Sequence, residues 1–164
     1  MLLCSLLSTL LVVTLFSCNE EDFCTIPDFS VDQVQLAADI IEIDQYLATN
    51  NIDTDIHPSG IRYTINDPGA GRQPDGCTAV KVSYTGKLLN GDIFDQTAQG
   101  QSIEFNLSGL ISGWQICLPL IKKEGLITLY IPSGYAYGAA AVGDIPPNSP
   151  LIFDIFLKDV RSVN

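Results

Sequence analysis

The residues of this chain whose types suggest a functional site are mostly aromatic. Several fall at the ends of predicted strands or in loops, and the set comprises Tyr84, Phe94, Phe105, Trp114, Tyr130, Tyr135, Tyr137 and Phe153. A single carboxylate, Asp95, directly follows Phe94. An apolar pocket with one or two polar groups is the usual form of a small-ligand site. These side chains therefore indicate an aromatic binding pocket, with core packing as the alternative for each of them.

The residue sets that other classes of site require are missing from the sequence. The single histidine, His57, stands beside Pro58, so neither a Ser-His-Asp triad nor a histidine-rich metal site can be assembled. The cysteines show no C-x-x-C spacing, which argues against a zinc or redox motif. No glycine-rich loop opens a helix in a way that would bind phosphate. We therefore predict no metal and no cofactor.

The only tryptophan, Trp114, lies in the stretch 110–125, which we predict to be one short helix. Ser112 can cap its start and Gln115, three residues later, can reach back as a capping box, while Pro119 should bend or tighten it. The apolar face comprises Trp114, Cys117, Leu118 and Ile121, at helical spacing. Trp114 is then either a core residue under a sheet or the floor of a ligand pocket.

Around this helix the sequence alternates between apolar and polar residues with a period of two, which is typical of strands with one buried face. The alternating runs cover 61–65, 80–84, 103–107, 127–131 and 151–157. Asn90-Gly91 is a strong hairpin signal just before Ile93. We predict an α+β domain over 56–164, in which about five antiparallel strands wrap around one short helix.

Residues 31–50, which precede this domain, follow a helical period. Leu36, Ile40, Ile43 and Leu47 share one face, and the acidic residues Asp39, Glu42 and Asp44 are predicted to point away from it. The sequence thus predicts an N-terminal amphipathic helix that packs on the domain or on a second subunit. It does not decide the oligomeric state.

The charge of the chain is unevenly distributed. The formal net charge is −11, and residues 1–60 hold ten acidic residues and no lysine or arginine. Residues 61–164 hold nine acidic residues and all eight basic ones. Since nothing resembles a basic stripe that could neutralise phosphates, this pattern argues against nucleic-acid binding.

The first residues have the pattern of an export signal. The apolar run from Leu2 to Phe16 has the length of a signal-peptide core, and it ends in Leu15-Phe16-Ser17-Cys18, which resembles a bacterial lipobox. We predict a lipoprotein signal peptide at 1–17, a lipidated Cys18 and an acidic tether at 18–30. The acidic residues after Cys18 are similar to the surface-export signals of Bacteroidetes lipoproteins. No lysine or arginine precedes the run, so an ordinary secretory signal or an uncleaved anchor is the alternative.

Three cysteines would remain after removal of the signal peptide and lipidation of Cys18: Cys24, Cys77 and Cys117. In an oxidising compartment one pair could form a disulfide, because such bonds persist there. The sequence does not choose among the three pairs.

Five motifs in order resemble the FKBP-type peptidyl-prolyl isomerases, from about Ser59 to Val160. They are Val82-Ser83-Tyr84-Thr85-Gly86, Asn90-Gly91-Asp92-Ile93-Phe94-Asp95, Ile111-Ser112-Gly113-Trp114, Ile131-Pro132-Ser133-Gly134-Tyr135-Ala136-Tyr137-Gly138 and Ile145-Pro146-Pro147-Asn148-Ser149-Pro150-Leu151-Ile152-Phe153. Five motifs at matching spacing are far more specific than any one of them.

The resemblance implies catalytic roles for Tyr84, Phe94, Asp95, Trp114, Tyr137 and Phe153, and substrate-binding roles for Ile103, Phe105, Leu110, Ile111 and Ile145. Trp114 would be the pocket floor, and Tyr137 would donate a hydrogen bond to a substrate carbonyl. The Ile111 backbone N–H would be a second donor, and Ile145 would belong to a flap over the site. Ile103 stands where the family often has phenylalanine, and the segment from Phe105 to Trp114 is shorter than in the small cytosolic members.

The implied activity is isomerisation of X–Pro bonds in proline-containing polypeptides, without a cofactor. Together with the lipobox-like run that ends at Cys18, it predicts a protein anchored by lipid in the bacterial cell envelope, at the outer membrane or the periplasmic face. FKBP-directed macrolides are the expected inhibitors. The amide barrier is about 20 kcal/mol, and a dry aromatic pocket with oriented hydrogen bonds can lower it without a nucleophile. The alternative is a binding or chaperone module with the same pocket and little turnover.

Overall fold

A computed structural model describes residues 29–163 of the 164-residue chain. The predicted signal peptide, the lipidation site at Cys18 and the tether up to residue 28 lie outside the described residues. Within the described part, none of the helices has the length and apolar character needed to cross a membrane.

The described residues form two α-helices and seven strands. In chain order they are α1 (Gln33–Asn50), β1 (Asp55–Ile56), β2 (Arg62–Asp67), β3 (Thr78–Leu88), β4 (Ile93–Gln96), β5 (Ile103–Asn106), α2 (Ser112–Cys117), β6 (Gly125–Ile131) and β7 (Leu151–Ser162). The single sheet is antiparallel, in the order β1-β2-β6-β7-β3-β4, and β5 also pairs with β3. The α+β prediction is confirmed. The described part of the chain has seven strands where the sequence predicted about five, because β1 has only two residues and β4, after the Asn90-Gly91 turn, shows no alternating run of its own.

One face of the sheet packs on α2 and forms the main core. Along β7, residues Leu151, Phe153, Ile155 and Leu157 alternate inward and are at most 3% exposed. The predicted apolar face of α2 and the turn after it is also buried, with Trp114, Cys117, Leu118 and Ile121 at most 3% exposed. The period-two and helical patterns in the sequence therefore identified the two surfaces that meet here.

The helix α2 is shorter than predicted and is capped differently. It ends at Cys117, and the chain tightens into a 3₁₀ turn over Leu118–Leu120, with Pro119 in its first turn. The capping-box prediction is wrong: Ile111 is the N-cap and no side chain caps the helix. Gln115 instead donates to the carbonyls of Ser108 and Leu110, at 3.3 and 2.7 Å. A buried carbonyl without a hydrogen-bond donor costs free energy, and the buried side-chain amide of Gln115 supplies that donor to Ser108 and Leu110.

The helix α1 packs on the domain and covers part of the outer face of the sheet. Asp32 caps its start by accepting from the Val34 and Gln35 amides, and Asn51 ends it at φ 54°. Ile43 and Leu47 form a second buried cluster with Tyr130 and Ile152, which alternate with the inward residues of β6 and β7. The sequence left open whether this helix packs on the domain or on a second subunit, and the structure shows that it packs on the domain.

One acidic residue of α1 was placed on the wrong face. Asp39 is 1% exposed and faces the domain, whereas Asp44 is half exposed and pairs with Arg62 at 2.9 Å. Helical periodicity assigns every acidic side chain to solvent, but hydrogen bonds from Gln35 and Ser133 make the burial of Asp39 tolerable. Phe29 also packs against the main core, so the predicted tether at 18–30 is too long at its end.

The structure answers part of the question of disulfide pairing. Cys77 is disulfide-bonded, whereas Cys117 is buried and free. Burial raises the pKa of the Cys117 thiol to about 12, so this thiol is protonated at neutral pH. Cys117 is therefore excluded from the disulfide pairings that the sequence left open.

Candidate active site

The aromatic residues of the sheet and of α2 surround one small cavity on the inner side of the sheet. Its lining comprises Tyr84, Phe94, Asp95, Phe105, Leu110, Ile111, Trp114, Tyr137 and Phe153. The cavity holds about 80 Å³. Sites for drug-sized ligands are typically about 300–1,000 Å³, so this cavity suits a single small ring.

The rings around the cavity hold one another edge to face. The Trp114 ring meets the Tyr84 ring at 5.2 Å and 85°, and the Phe153 ring at 5.2 Å and 89°. The Phe94 ring meets that of Phe153 at 5.6 Å and 84°. Such T-shaped pairs are favourable because a positive ring edge faces a negative ring face. The rings of the cavity floor and walls therefore contact one another, and a shift of one ring would displace its neighbours.

Three oxygen-bearing groups stand at the rim of this apolar cavity. The Tyr84 hydroxyl donates to the Asp95 carboxylate at 2.5 Å. Burial and this hydrogen bond raise the pKa of Tyr84. Burial, followed by the charge of Asp95, also raises the pKa of Tyr137. Both phenols thus stay protonated well above neutral pH, and Tyr137, which is 37% exposed, presents its hydroxyl as a donor at the cavity mouth.

The Trp114 indole adds a further polar group to the floor. Its Nε1 atom is buried and has no hydrogen-bond partner among the described residues. An unpaired buried donor costs about 1–3 kcal/mol. In the part of the chain that the structure describes, no group of three or more histidine, cysteine or acidic side chains is arranged to hold a metal ion. The site offers hydrogen-bond donors and apolar walls.

A family model for the FKBP-type peptidyl-prolyl cis-trans isomerases matches residues 71–158, which is more than half of the chain. The chain belongs to this family.

Solved structures of relatives share the fold. The crystal structure of FkpA from Escherichia coli superposes with a TM-score of 0.70 at 35% identity, covering 80% of this chain and 63% of that one. A peptidyl-prolyl cis-trans isomerase from Pseudomonas syringae gives a TM-score of 0.66 at 34% identity, covering 83% of this chain and all of that one.

Curated relatives are longer proteins. FkpA of Escherichia coli K12 is 43% identical over 104 residues, which are 63% of this chain and 38% of FkpA. The outer membrane protein MIP of Legionella longbeachae is 40% identical over 106 residues, which are 63% of this chain and 46% of MIP. The matched segment thus spans less than half the length of these curated relatives.

The structure brings together nine of the eleven residues that the family resemblance nominated. The two that it leaves out are Ile103 and Ile145. Ile103 is 44% exposed on β5, two residues from Phe105 and beyond the edge of the cavity. Ile145 is 5% exposed in the main core, and its N–H and carbonyl pair with Val142 at 2.9 and 3.0 Å. Their predicted roles in substrate binding therefore find no support in the cavity lining.

One residue that supports the site was not singled out from the sequence. A Cβ on Gly86, near the C-terminal end of β3, would lie 2.6 Å from the Phe94 ring and 2.9 Å from the Phe153 ring. Gly86 therefore provides the space in which these two cavity walls meet. The sequence signal was a glycine in a strand interior, which often marks the close approach of another group.

Gly113 makes the same kind of space beneath the floor. A Cβ there would lie 2.6 Å from the Ile131 side chain. The residue before Trp114 is thus small because the start of α2 lies directly against β6.

Proposed function

We propose that this protein is a peptidyl-prolyl cis-trans isomerase that acts on proline-containing polypeptides in the bacterial cell envelope. The observation that carries the proposal is the ring of interlocked aromatic side chains around Trp114, with protonated Tyr84 and Tyr137 at its rim. Family membership supports the activity, and the cavity supplies the chemistry that the activity needs.

The substrate proline ring would lie over Trp114, between Tyr84, Phe94 and Phe153. Proline suits such a pocket because it brings no backbone N–H that would have to be paired. The small volume of the cavity matches one five-membered ring rather than a larger side chain. Apolar contact on several sides holds the ring while the preceding peptide bond turns.

Rotation requires the loss of amide resonance, which costs about 18–20 kcal/mol and makes the uncatalysed step take tens of seconds. A planar amide is more polar than a twisted one, so a water-excluding pocket disfavours the planar ground state. Contacts that are stronger in the twisted state then lower the barrier. No bond is formed or broken, and no nucleophile is needed.

Hydrogen-bond donors at the rim would favour the twisted amide. The Tyr137 hydroxyl is proposed to donate to a substrate carbonyl. The Ile111 backbone is proposed to supply a second donor, since Ile111 lines the cavity and its carbonyl accepts from the Trp114 and Gln115 amides at 3.0 and 3.2 Å. Those two bonds hold the residue in place. Tyr84 and Asp95 orient each other and keep the rim polar on one side.

The envelope location rests on the sequence. Cys18 ends the lipobox-like run, so the proposed organisation is a signal peptide at 1–17 and a lipid anchor at Cys18, followed by the tether and the packed domain. The name of the relative MIP places that protein in the outer membrane. Replacing Cys18 by serine should move the protein from the membrane fraction to the soluble fraction. An unchanged distribution would contradict the lipid anchor.

The activity is tested with residues 19–164 in a protease-free prolyl isomerisation assay, with an FKBP-directed macrolide as competitor. We expect turnover that the macrolide abolishes. The Tyr137→Phe variant, which keeps the ring and loses the hydroxyl, should bind the macrolide and turn over more slowly. Macrolide binding without turnover by the unmodified chain would favour a chaperone or binding module. A protein that neither binds the macrolide nor catalyses isomerisation would contradict both the isomerase and the binding-module interpretations.

A further inference from the structure

The most deeply buried charged side chain of α1 makes contact with the segment that carries Tyr137. Asp39 is 1% exposed, and its Oδ1 accepts a hydrogen bond from the side-chain amide of Gln35 at 2.7 Å. Its Oδ2 accepts two more from Ser133, one from the backbone N–H at 2.7 Å and one from the hydroxyl at 2.6 Å. One carboxylate thus joins α1 to a residue 94 positions away in the sequence.

This burial is not explained by an ion pair. Arg62 on β2 pairs with α1 through Asp44, to which it donates two hydrogen bonds at 2.9 Å. None of the ion pairs among the described residues includes Asp39. A buried carboxylate without a cation is costly unless its oxygens accept several hydrogen bonds. Asp39 accepts three hydrogen bonds, one from Gln35 on the same helix and two from Ser133. Ser133 is therefore the residue of the domain that Asp39 fixes in place.

Ser133 in turn organises the backbone on both sides of Tyr137. It is fully buried and starts a 3₁₀ turn, Ser133–Tyr135. Its carbonyl accepts from the Ala136 amide at 2.9 Å and from the Gly138 amide at 2.8 Å. Tyr137 is the residue between these two donors. The Asp39 carboxylate is therefore two hydrogen-bond steps from the backbone that places the Tyr137 hydroxyl.

We propose that Asp39 is a positioning residue, which acts through Ser133 to hold Tyr137 at the mouth of the aromatic cavity. The inference rests on the proposed isomerase function. It assigns a role in that function to α1, which lies outside the residues 71–158 that match the family model. The helix is then part of the catalytic unit rather than a spacer between the membrane anchor and the domain.

The proposed role depends on how precisely the Tyr137 hydroxyl is positioned. Hydrogen bonds to a charged acceptor are about twice as strong as neutral ones. Two of them on one residue fix both the position and the rotation of the Ser133 peptide. A donor must be held within about 0.5 Å of its productive position to favour a transition state. Tyr137 is 37% exposed, so its side chain is only partly held by packing and its backbone has to be fixed by other contacts.

The test uses Asp39→Ala, which removes both acceptor oxygens, and Asp39→Asn, which keeps one. Asp44→Ala is the matched control, because it breaks the other polar contact between α1 and the domain, at Arg62, away from the Tyr137 turn. We expect Asp39→Ala to lower kcat/KM by roughly 10-fold, chiefly through kcat. Asp39→Asn should recover part of the loss, since its amide oxygen can still accept from Ser133. Asp44→Ala should change kcat/KM by less than about 2-fold.

A double-mutant cycle distinguishes positioning from general damage. In a Tyr137→Phe background there is no hydroxyl left to position, so Asp39→Ala should change kcat/KM by less than about 2-fold. Full additivity of the two substitutions would overturn the proposal. An equal loss of activity in Asp44→Ala would overturn it too, because it would mean that any weakening of the helix contact has the same effect.

Amide hydrogen exchange gives a readout that does not require turnover. In Asp39→Ala the Ala136 and Gly138 amides should exchange faster, with no change at these positions in Asp44→Ala. If Asp39→Ala does not fold, Ser133→Ala, which keeps the backbone bond to Asp39, provides the same comparison. Unchanged exchange of the Ala136 and Gly138 amides in a folded Asp39→Ala protein, or in the Ser133→Ala protein that replaces it, would overturn the proposal. An unmodified protein without turnover would contradict the proposed function, while exchange would still decide whether Asp39 holds this turn.

Discussion

The two faces of the sheet are built by different means. On the inner face, Trp114, Tyr84 and Phe153 form a cavity through shape and ring contacts. On the outer face, α1 contributes a small apolar cluster and is fixed by two buried or half-buried carboxylates, Asp39 and Asp44. Apolar contact is non-directional, whereas hydrogen bonds define one register. The inner face therefore supplies the binding volume, and the outer face supplies the alignment of one turn at its edge.

The largest expected effect tests whether the inner face carries the chemistry. Trp114→Leu removes the ring from the cavity floor and should lower kcat/KM by roughly 100-fold, because the substrate ring loses its platform. Ile43→Ala, in the buried cluster of the outer face, should cost about 2–5 kcal/mol of stability and leave kcat/KM nearly unchanged. Turnover is measured at a temperature at which circular dichroism shows both variants folded. Equal losses of activity would erase the distinction between the two faces.

A medium effect sharpens the account of the cavity walls. Gly86→Ala places a methyl group 2.6 Å from the Phe94 ring, so Phe94 and Phe153 must move apart. We expect a loss of about 1–3 kcal/mol in the free energy of unfolding from overpacking and a weaker affinity for an FKBP-directed macrolide, measured by denaturation and by titration. Gly109→Ala is the matched control, since a Cβ there meets no atom within 4 Å. A Gly86→Ala protein with unchanged affinity would show that the walls do not depend on this glycine.

The smallest expected effect is the pH dependence of the site. The pKa values of Tyr84 and Tyr137 are raised in the folded protein, by burial first and then by Asp95. Phenols in unfolded chains titrate near pH 10, so the stability from these raised values is present below about pH 10 and is lost as the pH rises through the folded values. kcat/KM should therefore be flat from about pH 6 to pH 9. A fall within that range that Tyr137→Phe removes would mean that this phenol ionises near neutral pH.

Much of the inner face could be predicted from the sequence because its signals are local. The alternation along 127–131 and 151–157 marks buried strand faces, and the spacing of Trp114, Cys117, Leu118 and Ile121 marks one helix face, without reference to any distant residue. The order of the five motifs added the identity of the pocket, and nine of the eleven nominated residues do line the cavity. Ile103 and Ile145 lie outside the cavity lining, since motif order gives the position of a residue along the chain and not its distance from the cavity.

Only the tertiary structure decided the remaining features, for a common physical reason. The burial of Asp39 depends on Ser133, 94 residues away, and the turn of Gln115 toward Leu110 depends on carbonyls that a helical pattern does not reveal. Gly86 matters through rings brought to it by other strands. Periodicity reports how a segment divides between core and solvent, so the sequence by itself determined the fold class and the apolar floor of the site. Hydrogen-bond partners and steric neighbours exist only once the sheet is assembled, so the polar alignment of the site was determined by the tertiary structure.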